Sequence, residues 1–133
     1  MDGKTVAEVM HYGVITCKPA TSIPDVARLM NDHDISSVVV VDDHGLLSGI
    51  ITRSDLVVLY GYDDMWPHLR ADQVMITQVV TVQPDEPAFK AAQEMRRRRI
   101  HRLVVVEPVE GEDRPRPIGV LSMTDIVRDM SLA

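Results

Sequence analysis

The apolar positions of this chain follow one spacing, then another, and the whole succession occurs twice. Val14-Ile15-Thr16-Cys17, closed by Pro19, is a short β-prone run, and Val79-Val80-Thr81-Val82 before Pro84 repeats it. Apolar residues then recur at Ile23, Val26, Ala27 and Met30, and again at Ala88, Ala91, Ala92 and Met95. That is the i, i+3, i+4, i+7 spacing of a helix with one buried face. Ser22-Ile23-Pro24-Asp25 adds a start signal, with a capping hydroxyl, an early proline and an acid three residues after the serine. Val38–Val41 and Leu103–Val106 are continuous aliphatic runs without alternation, as in strands covered on both faces. Asp42-Asp43-His44-Gly45 predicts a tight turn into a strand over Leu46–Ile51. A last helix in each half carries Leu56-Val57-Val58-Leu59 or Ile126-Val127-Arg128-Asp129-Met130.

Each half thus reads β-α-β-β-α, and the sequence laid on itself agrees without any secondary-structure assignment. Val9-Met10 matches Val74-Met75, Thr16 matches Thr81, Pro19 matches Pro84, Met30 matches Met95 and Ile35 matches Ile100, all at an offset of 65. Beyond the valine runs the offset is 70, with Gly49 answering to Gly119. The extra residues fall in 107–117, rich in Pro, Gly and charge, where a surface loop absorbs an insertion. The expected fold is therefore α/β (α+β), two tandem repeats over residues 1–65 and 66–133. Between them, Tyr60–Pro67 is expected to be a linker whose rings pack on adjoining helices, or else a contact with another subunit.

Composition narrows the function classes. A chain of 133 residues that is 45% hydrophobic and 26% charged can bury a core and is not disordered. No apolar run approaches the ~20 residues that cross a bilayer, and residues 1–15 lack the apolar core of a signal peptide; the expected location is cytoplasmic. The single cysteine, Cys17, reads as a small packing residue. A net charge of −6 argues against broad attraction to nucleic acid. Arg96-Arg97-Arg98-Arg99 does not reverse this, because residues turning by about 100° each cannot all face one partner and a helix C-terminus favours cations anyway. His11, His33, His44 and His68 have no zinc-site spacing, so no metal is expected. No nucleophile elbow, Walker loop or GxGxxG is present, so no catalysis is expected.

The most specific pattern is Gly119-Val-Leu-Ser122-Met-Thr124-Asp125-Ile-Val127 and its echo, Gly49-Ile-Ile-Thr52-Arg-Ser54-Asp55-Leu-Val57. Thr52-x-x-Asp55 and Ser122-x-x-Asp125 fit a capping box. Capping alone leaves unexplained the second hydroxyl, Ser54 or Thr124, and the glycine three residues before the first. A ligand accounts for them together: a helix start offers N–H groups to phosphate, a carboxylate can take two sugar hydroxyls, and glycine lets the backbone approach the ligand closely.

Both stretches resemble CBS motifs, named from cystathionine β-synthase, and the chain from about Val6 to Met130 resembles a stand-alone CBS pair, or Bateman module. The resemblance implies two repeats packed sheet to sheet about a pseudo-twofold axis, with two clefts for adenosine-containing ligands: AMP, ADP, ATP, S-adenosylmethionine, or in some members NAD or a cyclic dinucleotide. It implies Asp125 and Asp55 as ribose acids, with Ser122 and Thr124, or Thr52 and Ser54, on phosphate or ribose oxygens. Thr16 would face the Asp125 cleft and Thr81 the Asp55 cleft, with Ile35-Ser36-Ser37 or Ile100-His101-Arg102 framing adenine. His101-Arg102 resembles the phosphate-meeting pair of nucleotide-sensing members such as the regulatory subunit of AMP-activated protein kinase, and the matching Ser36 and Ser37 are uncharged. The main cleft is therefore expected around Asp125, with Thr16, Ile35, Ser36, Ser37, His101, Arg102, Ser122 and Thr124. The second, weaker one is expected around Asp55, with Thr52, Ser54, Thr81 and Ile100.

The expected protein is a regulatory sensor with an adenine nucleotide or S-adenosylmethionine as ligand, no required cofactor, a homodimer of CBS pairs and an unidentified effector protein. The competing expectation is an interaction module in which the hydroxyl-acid motifs only cap helices.

Overall fold

In the computed structural model, which describes residues 3–133, the first half runs α1 (Val6–Val9), β1 (His11–Tyr12), β2 (Thr16–Cys17), α2 (Ile23–His33), β3 (Ser37–Val41), β4 (Leu47–Thr52) and α3 (Arg53–Tyr62). A 3-10 turn over Trp66–His68 leads into α4 (Ala71–Val74), β5 (Thr81–Val82), α5 (Ala88–Arg98), β6 (Arg102–Glu107), β7 (Arg116–Ser122) and α6 (Met123–Ser131). The β-α-β-β-α order of each half is present. The short helices α1 and α4 and the strand β1 are additional to it.

The chain folds as two compact units. One comprises Ile15–Val79, with a sheet ordered β2-β3-β4; β2 runs parallel to β3 and β3 antiparallel to β4. The other comprises Val80–Ala133 together with the chain up to Val14, and its sheet is ordered β1-β7-β6-β5. These units do not coincide with the sequence repeats, because the segment that leads each repeat folds with the body of the other one.

The hydrogen bonds that hold the leading segments keep the offset of 65. Val6 N–H donates to Glu86 O at 2.8 Å and Ala7 N–H to Pro84 O at 2.9 Å, while Ala71 N–H donates to Thr21 O at 2.8 Å and Asp72 N–H to Pro19 O at 2.9 Å. Val6 and Ala71, the first residues of α1 and α4, are wholly buried. Burying a valine stabilises by about 1.5–3 kcal/mol, enough to fix so short a helix that has little stability of its own.

The valine runs are buried at every position, as their lack of alternation predicts. The helices differ in detail from their spacing. In α2 the buried face is Ile23, Val26 and Met30, with Leu29 packed beside them, whereas Ala27 is exposed. In α5 it is Ala88, Ala91 and Met95. Ser22 caps α2 by accepting from Asp25 N–H at 3.2 Å. Both α2 and α5 end in a left-handed residue, Asp34 and Arg99, again 65 positions apart.

The aromatic stretch packs only in part. Trp66 packs against the core of the Ile15–Val79 unit and lies 5.7 Å from the Tyr60 ring, whereas Tyr60 and Tyr62 are exposed. Cys17 is buried, and desolvation pushes its thiol up to about 11, against a smaller opposing effect of the Thr21 hydroxyl. A thiol so placed is a packing group.

Candidate functional site: two capped helix starts

Both hydroxyl-acid motifs form complete capping boxes. At α6, Asp125 Oδ2 accepts from Ser122 N–H at 2.8 Å and from the Ser122 hydroxyl at 3.0 Å, while Asp125 N–H donates to Ser122 Oγ at 3.3 Å. At α3, Asp55 Oδ2 accepts from Thr52 N–H at 2.8 Å and Asp55 N–H donates to Thr52 Oγ1 at 3.2 Å. The second hydroxyls, Thr124 and Ser54, take no part in the caps and are exposed.

The glycines of the motif have a different role from the expected one. A Cβ on Gly119 would lie 2.4 Å from His11 O and 2.8 Å from Met10 Cε; one on Gly49 would lie 2.8 Å from Met75 Sδ and 2.9 Å from Ile76 O. The backbone that approaches is the chain's own leading segment. Met10 and Met75 are the residues matched at an offset of 65, so the Val-Met pair and the glycine of the sequence repeat are partners in one close contact.

Strand register gathers the candidate residues of each unit. Arg102 lies opposite Ser122 across β6 and β7, and His101 O accepts from Met123 N–H at 3.0 Å. His101, Arg102, Ser122, Thr124 and Asp125 therefore come together, with Ile100 packed on the core beneath them. In the other unit Ser37 lies opposite Thr52, and Ser36 O accepts from Arg53 N–H at 2.8 Å, which gathers Ile35, Ser36, Ser37, Thr52, Ser54 and Asp55. Thr16 on β2 belongs to this unit and Thr81 on β5 to the former; both are exposed.

The two acids are not equivalent. Asp125 is 4% exposed, and its Oδ1 accepts from the Arg128 guanidinium and lies 3.3 Å from His11 Nδ1. Asp55 is half-buried, and its Oδ1 has no hydrogen-bond partner among the described residues. The sequence reading missed Arg128, which sits one turn after Asp125 on α6, an i, i+3 spacing that could have been recognised. It also missed His11, which reaches the site through β1, and no local pattern announces that. Arg53 was missed as well: it fills the spacer position of the first motif and donates through Nη2 to Ile35 O at 3.1 Å. That places a guanidinium beside the Asp55 motif, where Ser36 and Ser37 offer no charge.

The arginine run resolves into two pairs. Arg97 and Arg98 both bind Glu94, at 2.6 Å each, and hold its carboxyl below the usual range. The guanidinium groups of Arg96 and Arg99 have no such partner among the described residues. They stand beside a pocket of about 390 Å³ between α5 and α6, with Met95, Ile100 and Ile126 beneath and His101, Met123 and Val127 at its exposed side.

Among the described residues no helix is long and apolar enough to cross a membrane.

A family model described as "CBS domain" matches residues 6–61 and 71–132. The chain is 33% identical over 129 residues to the protein MK0525 of Methanopyrus kandleri, covering 96% of this chain and 63% of that one. It is 32% identical to a homoserine O-acetyltransferase of Methanococcoides burtonii, covering 93% of this chain and only 24% of the enzyme. The CBS domain pair of protein MJ0100, solved with 5′-methylthioadenosine and S-adenosyl-L-methionine, superposes with a TM-score of 0.83 at 28% identity, covering 96% and 95% of the two chains.

Proposed function

Since the chain belongs to the CBS-domain family and carries two tandem CBS repeats, we propose that it is a regulatory module that binds an adenosine-containing ligand and passes the resulting change to a partner protein. The observation that carries this reading is the pair of helix starts, each with an exposed hydroxyl left over after its cap is complete, and His101 and Arg102 beside one of them. The MJ0100 pair and its adenosyl ligands support the same ligand class.

In the proposed main site Asp125 holds the ribose, Ser122 and Thr124 meet phosphate or ribose oxygens and His101 and Arg102 meet phosphate, with Thr16, Ile35, Ser36 and Ser37 as further residues of the same proposal. The guanidinium of Arg102 is suited to an oxyanion fork, and His101 adds a second donor. Ribose hydroxyls reaching Asp125 Oδ1 replace Arg128 and His11 there, so binding exchanges one set of bonds for another. The second site uses Asp55, Thr52, Ser54, Thr81 and Ile100, with Arg53 as its cation. Whatever change the ligand induces is limited by its differential affinity for the two arrangements of the module. A homodimer of pairs and a separate effector protein complete the proposal.

Calorimetric titration with AMP, ATP, S-adenosylmethionine and NAD tests it. Binding of at least one is expected, weakened more by Asp125→Ala than by Asp55→Ala. Silence across the panel overturns the ligand reading, and the reverse order of the two variants overturns the ranking of the sites.

The completed capping boxes favour a second reading, an interaction module in which both motifs serve only as caps. It predicts that Ser122→Ala lowers the melting temperature without altering any ligand-dependent shift.

A further inference from the structure

We infer that Arg128 and His11 form a latch on Asp125 that makes its site select adenosyl ligands bearing a 5′-phosphate over neutral ones, an inference that rests on Asp125 being the ribose acid. Asp125 has one oxygen to offer a ligand. Its Oδ2 is committed to the helix cap, accepting from Ser122 N–H at 2.8 Å and from the Ser122 hydroxyl at 3.0 Å. Its Oδ1 accepts from the Arg128 guanidinium and lies 3.3 Å from His11 Nδ1. Ribose hydroxyls can take Oδ1 only by displacing those side chains, and the exchange removes the counter-ion of a carboxylate that is 4% exposed. A hydroxyl replaces the hydrogen bond but not the charge, and a buried carboxylate without a cation is costly.

The displaced side chains find no free acid on the elements around them. On α1, β1, β7 and α6 the acids besides Asp125 are Glu8 and Asp129, and both are engaged. Asp129 is bound by Lys4 at 2.5 Å, and Glu8, on a helix that packs against α6, accepts from Thr5 N–H at 3.0 Å. A ligand phosphate is then the anion that keeps Arg128, and His11 when protonated, at the site between itself and Asp125. A neutral nucleoside instead sends both to water, which they already reach: the His11 side chain is 71% exposed and that of Arg128 48%.

The other repeat is built without the latch. The offsets of 65 and 70 place Ile76 where His11 stands and Val58 where Arg128 stands. Ile76 pairs with Ile50 as His11 pairs with Val120, so the strand partners correspond as well. Ile76 and Val58 are exposed apolar residues, and Asp55 Oδ1 has no hydrogen-bond partner among the described residues. A ribose meets no cation to displace there.

Calorimetry with AMP and adenosine tests the latch, in an Asp55→Ala background that leaves the Asp125 site to be read alone. Arg128→Val with His11→Ile, which installs the residues of the other repeat, is expected to tighten adenosine about tenfold and to change AMP by less than about threefold, so that the preference for AMP shrinks. The converse graft, Val58→Arg with Ile76→His in an Asp125→Ala background, is expected to weaken adenosine at the Asp55 site about tenfold, with a smaller effect on AMP. Both grafted positions are exposed, so this pair decides the matter should the first variant fail to fold. Adenosine binding that is unchanged or weaker in the folded first variant overturns the latch; combined with weaker AMP binding, it makes Arg128 and His11 plain phosphate contacts. A graft that leaves adenosine binding unchanged overturns it too. If neither compound binds the parent protein, Asp125 is not a ribose acid and the latch falls with that reading, whereas binding of both with a preference that no variant alters sinks the latch alone.

Discussion

The carbonyl oxygen of His11 lies 2.4 Å from the point where a Cβ on Gly119 would stand. The obstacle is backbone, held by pairing of β1 with β7 in the register His11 to Val120, so it cannot step aside as a side chain can. Gly119→Ala should therefore part β1 from β7 and cost about 1–3 kcal/mol, the usual range for overpacking. Gly49→Ala should cost less, because part of its obstruction is the thioether of Met75. Chemical denaturation of the two variants checks the order.

Arg128→Ala removes the guanidinium from a carboxylate that is almost wholly buried. Asp125 keeps its Ser122 bonds, so the loss should be limited to about 1–2 kcal/mol. If ribose hydroxyls use the same oxygen, the variant should also bind the adenosyl ligand more tightly than the parent does. Calorimetry on the parent and the variant reads both effects.

Ser122→Ala and Thr52→Ala each remove one half of a formed capping box. A loss of about 1 kcal/mol is expected for each. Restoring a hydroxyl with Ser122→Thr should recover most of it, as thermal unfolding would reveal.

Cys17 should resist thiol reagents in the native protein at mildly alkaline pH and react at once after denaturation. Burial and a thiol raised to about 11 leave little thiolate to attack. The labelling rate with and without denaturant is the measurement.

Glu94 gives a pH dependence of definite sign. Its hydrogen bonds to Arg98 and then Arg97 lower the folded-state value below the ordinary 4.5. The contribution to stability is thus present above about pH 4.5 and fades as pH falls through the folded value. Glu94→Gln should flatten that part of the acid limb in urea titrations taken across it.

Much of this was legible in the residues. Ser22, Thr52 and Ser122 were readable as caps because a cap is a local device, satisfied by an N–H three positions away. The runs Val38–Val41 and Leu103–Val106 were readable as covered strands because their pattern lacks an exposed face. Ala27 was misplaced on the buried stripe since spacing alone does not fix where the edge of a helix face falls. The leading segments Val6–Met10 and Ala71–Met75 were visible only as a repeated Val-Met pair; nothing in them encodes a helix that stands without burial.

The sequence by itself determined the duplicated order of elements, their caps and the side chains that each motif would bring together across a strand pair. Local periodicity records which face is buried, and a hydrogen bond three residues long leaves its signature in spacing. Only the tertiary structure decided that each leading segment folds with the body of the other repeat, so that Met10 and His11 fill the space beside Gly119 and His11 arrives at Asp125. It also decided which arginines of 96–99 are paired and which look onto an apolar pocket. Those outcomes depend on contacts between residues far apart in the chain, or on where a helix turn points, and no short pattern carries either.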